Sequence, residues 1–257
     1  MLNLRFCSIV LLFALALVIA GCSSTRTSTT NAANPDAQPG QTDQAEAVDL
    51  LRESGVDLTQ LVSIPEDAIP EYVIARANCI VVIPQMVKGG FVFGAKHGSG
   101  VATCKHGNQW SAPAFVTLTG GSWGAQIGVQ VADVVLAVMN KEGMDALLES
   151  NFQLGAHGSV AAGPVGRAAA AEQGGMAQAG VLTYSRTKGL YAGLTLEGAY
   201  IREHKDLNQA YYGRPIQART VLSGEIDAPQ NASLFLNSVR SASAESQGRR
   251  AREAATE

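Results

Sequence analysis

Between Gly89 and Gly198 lie 21 of the 27 glycines of this 257-residue chain, nearly one residue in five over that stretch. Collagen needs glycine at every third position, and the spacing here is irregular. Nor can the segment be a disordered tract, because it is too apolar and too weakly charged. The whole chain is 46% hydrophobic and 16% charged, where an average soluble domain carries roughly 25% charged residues. Four cysteines are too few for a disulfide-dense mini-scaffold, and a net charge of -3 excludes a strongly basic nucleic-acid binder. Glycine inside strands marks bulges, tight bends and close backbone approach. The cluster therefore fits a curved sheet, and together with the strand and helix patterns along the chain it predicts an α+β fold: a curved, Gly-rich antiparallel sheet or partial barrel with helices packed on it.

The N-terminus supplies an address. Residues Phe6 to Ala20 are apolar apart from Ser8 and follow Arg5. A membrane-spanning helix needs roughly 20 apolar residues, so this shorter run fits the hydrophobic core of a signal peptide spanning residues 1–21. It ends in Ile19-Ala20-Gly21-Cys22, small residues before a cysteine in the manner of a bacterial lipobox. The expectation is lipid attachment at Cys22, with palmitate or related acyl chains giving a firm anchor. Ser23 after the cysteine, in place of Asp, points to the outer membrane and a periplasm-facing domain. An ordinary cleaved signal peptide with an incidental cysteine is the alternative.

Composition then divides the mature chain. Residues 22–44 are rich in Ser, Thr, Asn, Pro and Gln and read as a flexible tether; about 22 residues of coil span on the order of 25 Å. Residues 45–71 read as an acidic helical leader that packs on its own domain. From Asp36 to Glu71 there are nine acidic residues and one basic residue, Arg52. An amphipathic membrane helix would carry Lys and Arg on its polar face; this one carries Asp49, Glu53 and Asp57. Residues 72–222 are the globular domain and are mildly basic, with twelve basic against eight acidic residues. Residues 223–257 read as a polar C-terminal tail, with a short helix over Pro229 to Arg240 that puts Leu234, Phe235 and Val239 on one face.

Within the domain, Cys79 to Ile83 is a predicted strand ended by Pro84. Gly90 to Lys96 and Gly100 to Lys105 are predicted strands joined by a turn at His97-Gly98-Ser99. Ala112 to Thr119 and Trp123 to Met139 continue the strand pattern, and Asn140 caps a helix. Residues 152 to 162 alternate with period two, and Ala179 to Arg186 pairs with Gly189 to Ile201. A helix over Glu203 to Tyr212 stops at Gly213.

Chemical motifs mostly fail. No Gly-Lys-Ser/Thr phosphate loop and no dinucleotide fingerprint occurs. Gly120-Gly121-Ser122-Trp123-Gly124 fits the G-x-S-x-G nucleophile elbow, but such an elbow leads into a helix and the following residues alternate as a strand. A serine hydrolase using Ser122, with Asp133 or Asp145 and His157 or His204, is thus the third-ranked reading. Cys79, His97, Cys104 and His106 lack metal-ligand spacing, so no metal and no other cofactor is expected. Once Cys7 leaves with the signal peptide and Cys22 is lipidated, Cys79 and Cys104 remain on neighbouring predicted strands. They are expected to form a disulfide, with two buried free thiols as the alternative.

Several blocks carry a resemblance in order: Lys88-Gly89-Gly90-Phe91-Val92-Phe93-Gly94, Trp110-Ser111-Ala112-Pro113, Gly120-Gly121-Ser122, Asp133 to Asn140, Ser159 to Arg167, Tyr184 to Gly198 and Tyr211 to Pro215. Together they resemble the SYLF lipid-binding domain family over about Tyr72 to Leu222. That resemblance implies a non-catalytic module that binds lipid, with phosphoinositide binding and actin association in eukaryotic members. The eukaryotic lipid contact is associated with an amphipathic N-terminal helix and basic residues, whereas the leader here is acidic. Basic residues beside glycine turns, Lys88, Arg167, Arg186, Lys188 and Arg214, are the candidates for binding anionic phospholipid head groups, with backbone N–H groups as further donors. Tyr191, Tyr211 and Tyr212 are read as core or interface aromatics. The leading expectation is an outer-membrane-anchored protein that binds a phospholipid membrane. The alternative is a structural or scaffolding envelope protein that binds other proteins or itself.

Overall fold

A computed structural model describes residues 39–63, 69–90, 93–123, 128–149, 151–155, 159–163, 179–187, 190–191, 196 and 198–254. The strands are β1 (Cys79–Gly90), β2 (Phe93–His106), β3 (Gln109–Trp110), β4 (Ala114–Trp123), β5 (Gly128–Val138), β6 (Asn151–Gln153), β7 (Ser159–Ala162), β8 (Ala179–Thr187), β9 (Leu190–Tyr191) and β10 (Tyr200–Glu203). The helices are α1 (Pro39–Ser63), α2 (Glu71–Arg76), α3 (Lys141–Leu148), α4 (Lys205–Tyr212), α5 (Ala218–Leu222) and α6 (Ser233–Ala254).

The architecture is α+β. The strands form a strongly curled, open half-barrel whose main path runs β6-β10-β4-β2-β1-β5-β8-β7. Its pairings are antiparallel except β7–β8, which is parallel. Helices cover both faces, and this is why Cys79–Ile83 and Val134–Val138 are continuous apolar runs: every residue in them is buried. Ile80, Val82, Val135 and Ala137 pack towards α1 and α6, alongside Phe115 and Phe235. Cys79, Val81, Ile83, Val134 and Leu136 point the other way, with Leu147 of α3 and Val221 of α5.

Two predicted interruptions of the sheet are continuous strands. Pro84 does not end β1. Having no N–H to give a ladder, it sits at a bulge where the β1–β5 register shifts between Ile83 and Met86. Gln85 there adopts φ 48°, and its N–H donates to Asp133 Oδ1 at 3.1 Å. Likewise His97-Gly98-Ser99 is no turn but the middle of β2. Gly98 and Gly100 lie so close to β1 that a Cβ would sit 2.7 Å from Ile83 Cγ2 at the first and 2.2 Å from the Val82 carbonyl oxygen at the second. Conversely, the alternation over 152–162 covers two strands, β6 and β7, at opposite ends of the sheet path.

The flanking segments also depart from the sequence reading. Helix α1 begins at Pro39, inside the stretch read as tether, and its Ala47, Leu51, Ser54, Leu58 and Leu61 are fully buried. It crosses the start of α6 closely at Gly55, whose missing Cβ leaves room for the Leu234 carbonyl. The supposed polar tail is α6, which buries Phe235, Leu236, Val239 and Ala242 while Leu234 stays 39% exposed. Disordered polar composition and a narrow apolar stripe on a helix look alike at low apolar content.

Helix ends follow local rules. Asn140 Oδ1 accepts from Gly143 N at 2.9 Å, and Gly213 closes α4 at φ 68°. Tyr211 and Tyr212 stack edge-to-face at 4.9 Å and donate to Asn231 Oδ1 and the Pro113 carbonyl at 2.8 and 2.7 Å. Burial pushes both phenols well above the usual range.

A single amide ties α4 to the sheet. Asn208 is fully buried; its Oδ1 accepts from Phe115 N at 2.9 Å and its Nδ2 donates to the Phe115 and His204 carbonyls at 2.8 and 3.0 Å. Asn208→Ala strands the buried Phe115 N–H, and the expected loss is about 2 kcal/mol. Urea unfolding checks this, and an unchanged midpoint would contradict it.

Candidate functional site

β1, β2 and β5 are the longest strands, at 12, 14 and 11 residues, and the ends of all three away from the Cys79–Cys104 pair carry the candidate site. In the β1–β2 register Lys88 stands directly opposite Lys96; in the β1–β5 register it stands opposite Gln130. Residues directly opposed in an antiparallel ladder emerge on the same face, so Lys96, Lys88 and Gln130 form a polar row across three strands. Gln130 Nε2 extends the row by donating to Thr187 Oγ1 on β8 at 3.1 Å. Gly120 flanks Lys96 on the β4 side, backed so closely by Ala199 that a Cβ would lie 3.0 Å from it. Lys96 is only 4% exposed, and its pKa is lowered by burial first and by Lys88 second.

The opposite face at this end carries exposed valines, with the exposed His97 opposite Val87. Val87 is paired with Val131 and Gly89 with Val129, and the three valines are 44%, 41% and 74% exposed. A basic row on one face and bare valines on the other thus end the same three strands.

The sequence candidates are not gathered in one place. Lys88 is in the row. Arg186 lies on β8 and is engaged by acids: its guanidinium is 2.9 Å from Asp133 and 3.6 Å from Asp57, with its side chain 14% exposed. Arg214 is exposed in the turn after α4. Cys22, Arg167 and Lys188 lie outside the described residues. The structure adds Lys96, which the sequence reading passed over because it set a turn at residues 97–99. The available signal was spacing: with Gly90 opposite Gly94, Lys88 falls opposite Lys96.

Cys79 and Cys104 face each other across β1–β2, fully buried, and their sulfurs are bonded. Neither is therefore a metal ligand, and among the described residues no cluster of His, Cys, Asp or Glu is suited to hold a metal ion. The hydrolase geometry is not formed by the described residues. Ser122 lies within β4 opposite Gly94, and the next described element is strand β5, not a helix. Asp133 holds Arg186 and Gln85, Asp145 holds Lys141, and His204 caps α4 through Leu207 N. His157 lies outside the described residues. No helix among the described residues is long and apolar enough to cross a membrane.

A family profile described as "Ysc84: Las17-binding protein actin regulator" matches residues 119–242. The chain carries a Ysc84-family (SYLF) domain. The profile enters in β4 and runs into α6, so the match includes the helix that closes the core. Among proteins with the Ysc84 domain, Protein YSC84 of Saccharomyces cerevisiae is 36% identical over 183 residues, covering 68% of this chain and 38% of its own length. SH3 domain-containing YSC84-like protein 1 of Homo sapiens is 32% identical over 203 residues, 77% of this chain and 58% of its own. LAS seventeen-binding protein 3 of Saccharomyces cerevisiae is 37% identical over 171 residues, 64% of this chain and 36% of its own. The chain therefore spans between 36% and 58% of the length of these relatives.

Proposed function

We propose that this protein is a non-catalytic lipoprotein of the bacterial envelope, held at the outer membrane through Cys22 and facing the periplasm, whose Ysc84 domain binds anionic phospholipid head groups. The observation that carries this reading is the direct opposition of Lys88 and Lys96. Like charges directly opposite in a ladder repel, and burial adds to the cost of charging Lys96. A phosphate group beside the more exposed Lys88 offsets that repulsion, with Gln130 as a neutral donor next to it. The exposed Val87, Val129 and Val131 supply apolar surface at the same end of the sheet, which suits the boundary between head groups and acyl chains. Arg214, Arg167 and Lys188 are further head-group candidates; Arg186 is already spent on two carboxylates.

Flotation with vesicles tests this, using residues 22–257 carrying Cys22→Ala so that neither the apolar N-terminal run nor the lipid anchor is present. Binding is expected to anionic vesicles and not to neutral phosphatidylcholine, and to weaken with salt. A lysine near an anionic surface contributes about 1 kcal/mol, so Lys88→Gln should weaken binding roughly fivefold. Equal binding to both vesicle types, or an unchanged affinity in Lys88→Gln, would remove the row from the site.

A second reading, a scaffold that binds other proteins or itself, is favoured by the protein partner in the family description, Las17. No flotation together with salt-independent self-association would select it.

A further inference from the structure

Where α1 meets the sheet, acid outnumbers base in a half-enclosed recess. Arg52, Glu53, Val56 and Asp57 of α1, Gln85 of the β1 bulge and Asp133 of β5 line an open cavity of about 360 Å³. Arg186 reaches Asp133 and Asp57 from β8, and the three side chains are 14%, 19% and 14% exposed. Arg52 is turned to Asp49 on its own helix. One guanidinium thus bridges two carboxylates on different elements, with Glu53 a further negative neighbour. Asp133 is fixed from two sides, by Arg186 and by the Gln85 N–H, so Asp57 is the member of the set that moves with α1.

We propose that this cluster is a proton-operated latch: protonated Asp57 lets α1 seat fully against the sheet, and ionised Asp57 loosens the helix. Burial pushes the Asp57 carboxyl up to about 7; Asp133 adds to the rise, Arg186 opposes it and Glu53 adds again. Its ordinary value is 3.8, so between these limits the seated helix holds a proton that the detached helix has released. The contribution to seating is fully present below the lower value and is lost as pH rises through the upper one. Among the described side chains, the other charged groups on elements packed against α1 are His97 on β2, Lys205 and Asp206 on α4 and Arg240 on α6, all exposed to solvent, Lys105 on β2, which donates to the Ala75 carbonyl, and Lys88 on β1 with Lys96 and His106 on β2, which emerge on the other face of the sheet. Loosening α1 uncovers Ala47, Leu51, Leu58 and Leu61, so the latch controls access to apolar surface.

Hydrogen exchange of the full chain between pH 5 and 9, corrected for intrinsic rates, reads the latch directly in the amides of residues 47–61. Protection is expected to fall about tenfold between pH 6 and 8 and to level off above that. Asp57→Asn should stay protected across the range. Glu53→Gln, at an exposed position, should keep the fall but move its midpoint to lower pH, which tests the latch even if Asp57→Asn does not fold. A flat wild-type profile, a fall that persists in Asp57→Asn, or a midpoint unmoved by Glu53→Gln overturns the proposal.

Discussion

Gly100→Ala is expected to destabilise the domain by about 3 kcal/mol or more, the upper end for overpacking a filled interior. The added Cβ would lie 2.2 Å from the Val82 carbonyl oxygen, 2.4 Å from Ile83 Cδ1 and 2.9 Å from Ile83 Cα. The methyl of Ile83 can turn away; the Val82 carbonyl cannot, because Val82 is laddered to Val101 on one side and Val135 on the other. Relief requires β1 and β2 to part just where the bulge at Pro84 and Gln85 already interrupts pairing. Gly121→Ala is the matched control, since its Cβ meets nothing within 4 Å. Chemical denaturation of the two variants checks the pair, and a Gly100→Ala midpoint equal to that of Gly121→Ala would show that the strands can yield.

This glycine also shows where sequence reading stops. A dense glycine cluster indicates that backbone passes close to something, and it correctly implies a curved sheet. It does not say whether a given glycine turns the chain or lets another strand lie over it. Gly98 reads from sequence as the first, whereas it and the neighbouring Gly100 are both the second; the misplaced turn splits β2 in two and hides Lys96 opposite Lys88. Features decided by neighbours in sequence fared better. The doubly buried runs at Cys79–Ile83 and Val134–Val138, the Asn140 cap and the Gly213 stop are local consequences of local residues. Features decided by distant partners did not. Period-two alternation cannot assign β6 and β7 to opposite ends of a sheet, and α6 shows its value only once Phe235 and Val239 meet α1 and α2. Arg186 resembled Lys88 as a basic residue beside a glycine turn; only the fold brings Asp57 and Asp133 to it from 129 and 53 residues away.

Reduction of the Cys79–Cys104 bond is expected to lower stability by about 3 to 4 kcal/mol while leaving the fold in place. The bond closes a loop of sequence separation 25, and most of its effect lies in the unfolded chain, which loses the conformations in which those ends are apart. In the folded state the two residues are already aligned by the ladder that runs from Cys79↔Cys104 to Val82↔Val101 and resumes at Val87↔His97. The reduced protein should therefore keep its far-ultraviolet spectrum and its vesicle affinity, yet unfold at a lower urea concentration and with a steeper dependence, because its unfolded state is more open. Cys79→Ala/Cys104→Ala should behave like the reduced form, apart from the smaller volume at two fully buried positions. The bond also sits at the opposite end of β1 and β2 from Lys88 and Lys96, so loss of affinity on reduction under native conditions would mean that strand pairing at the basic row depends on this staple. Equal midpoints for oxidised and reduced protein, with thiol counting to confirm the two states, would show that the ladder alone restrains the chain as tightly as the covalent link.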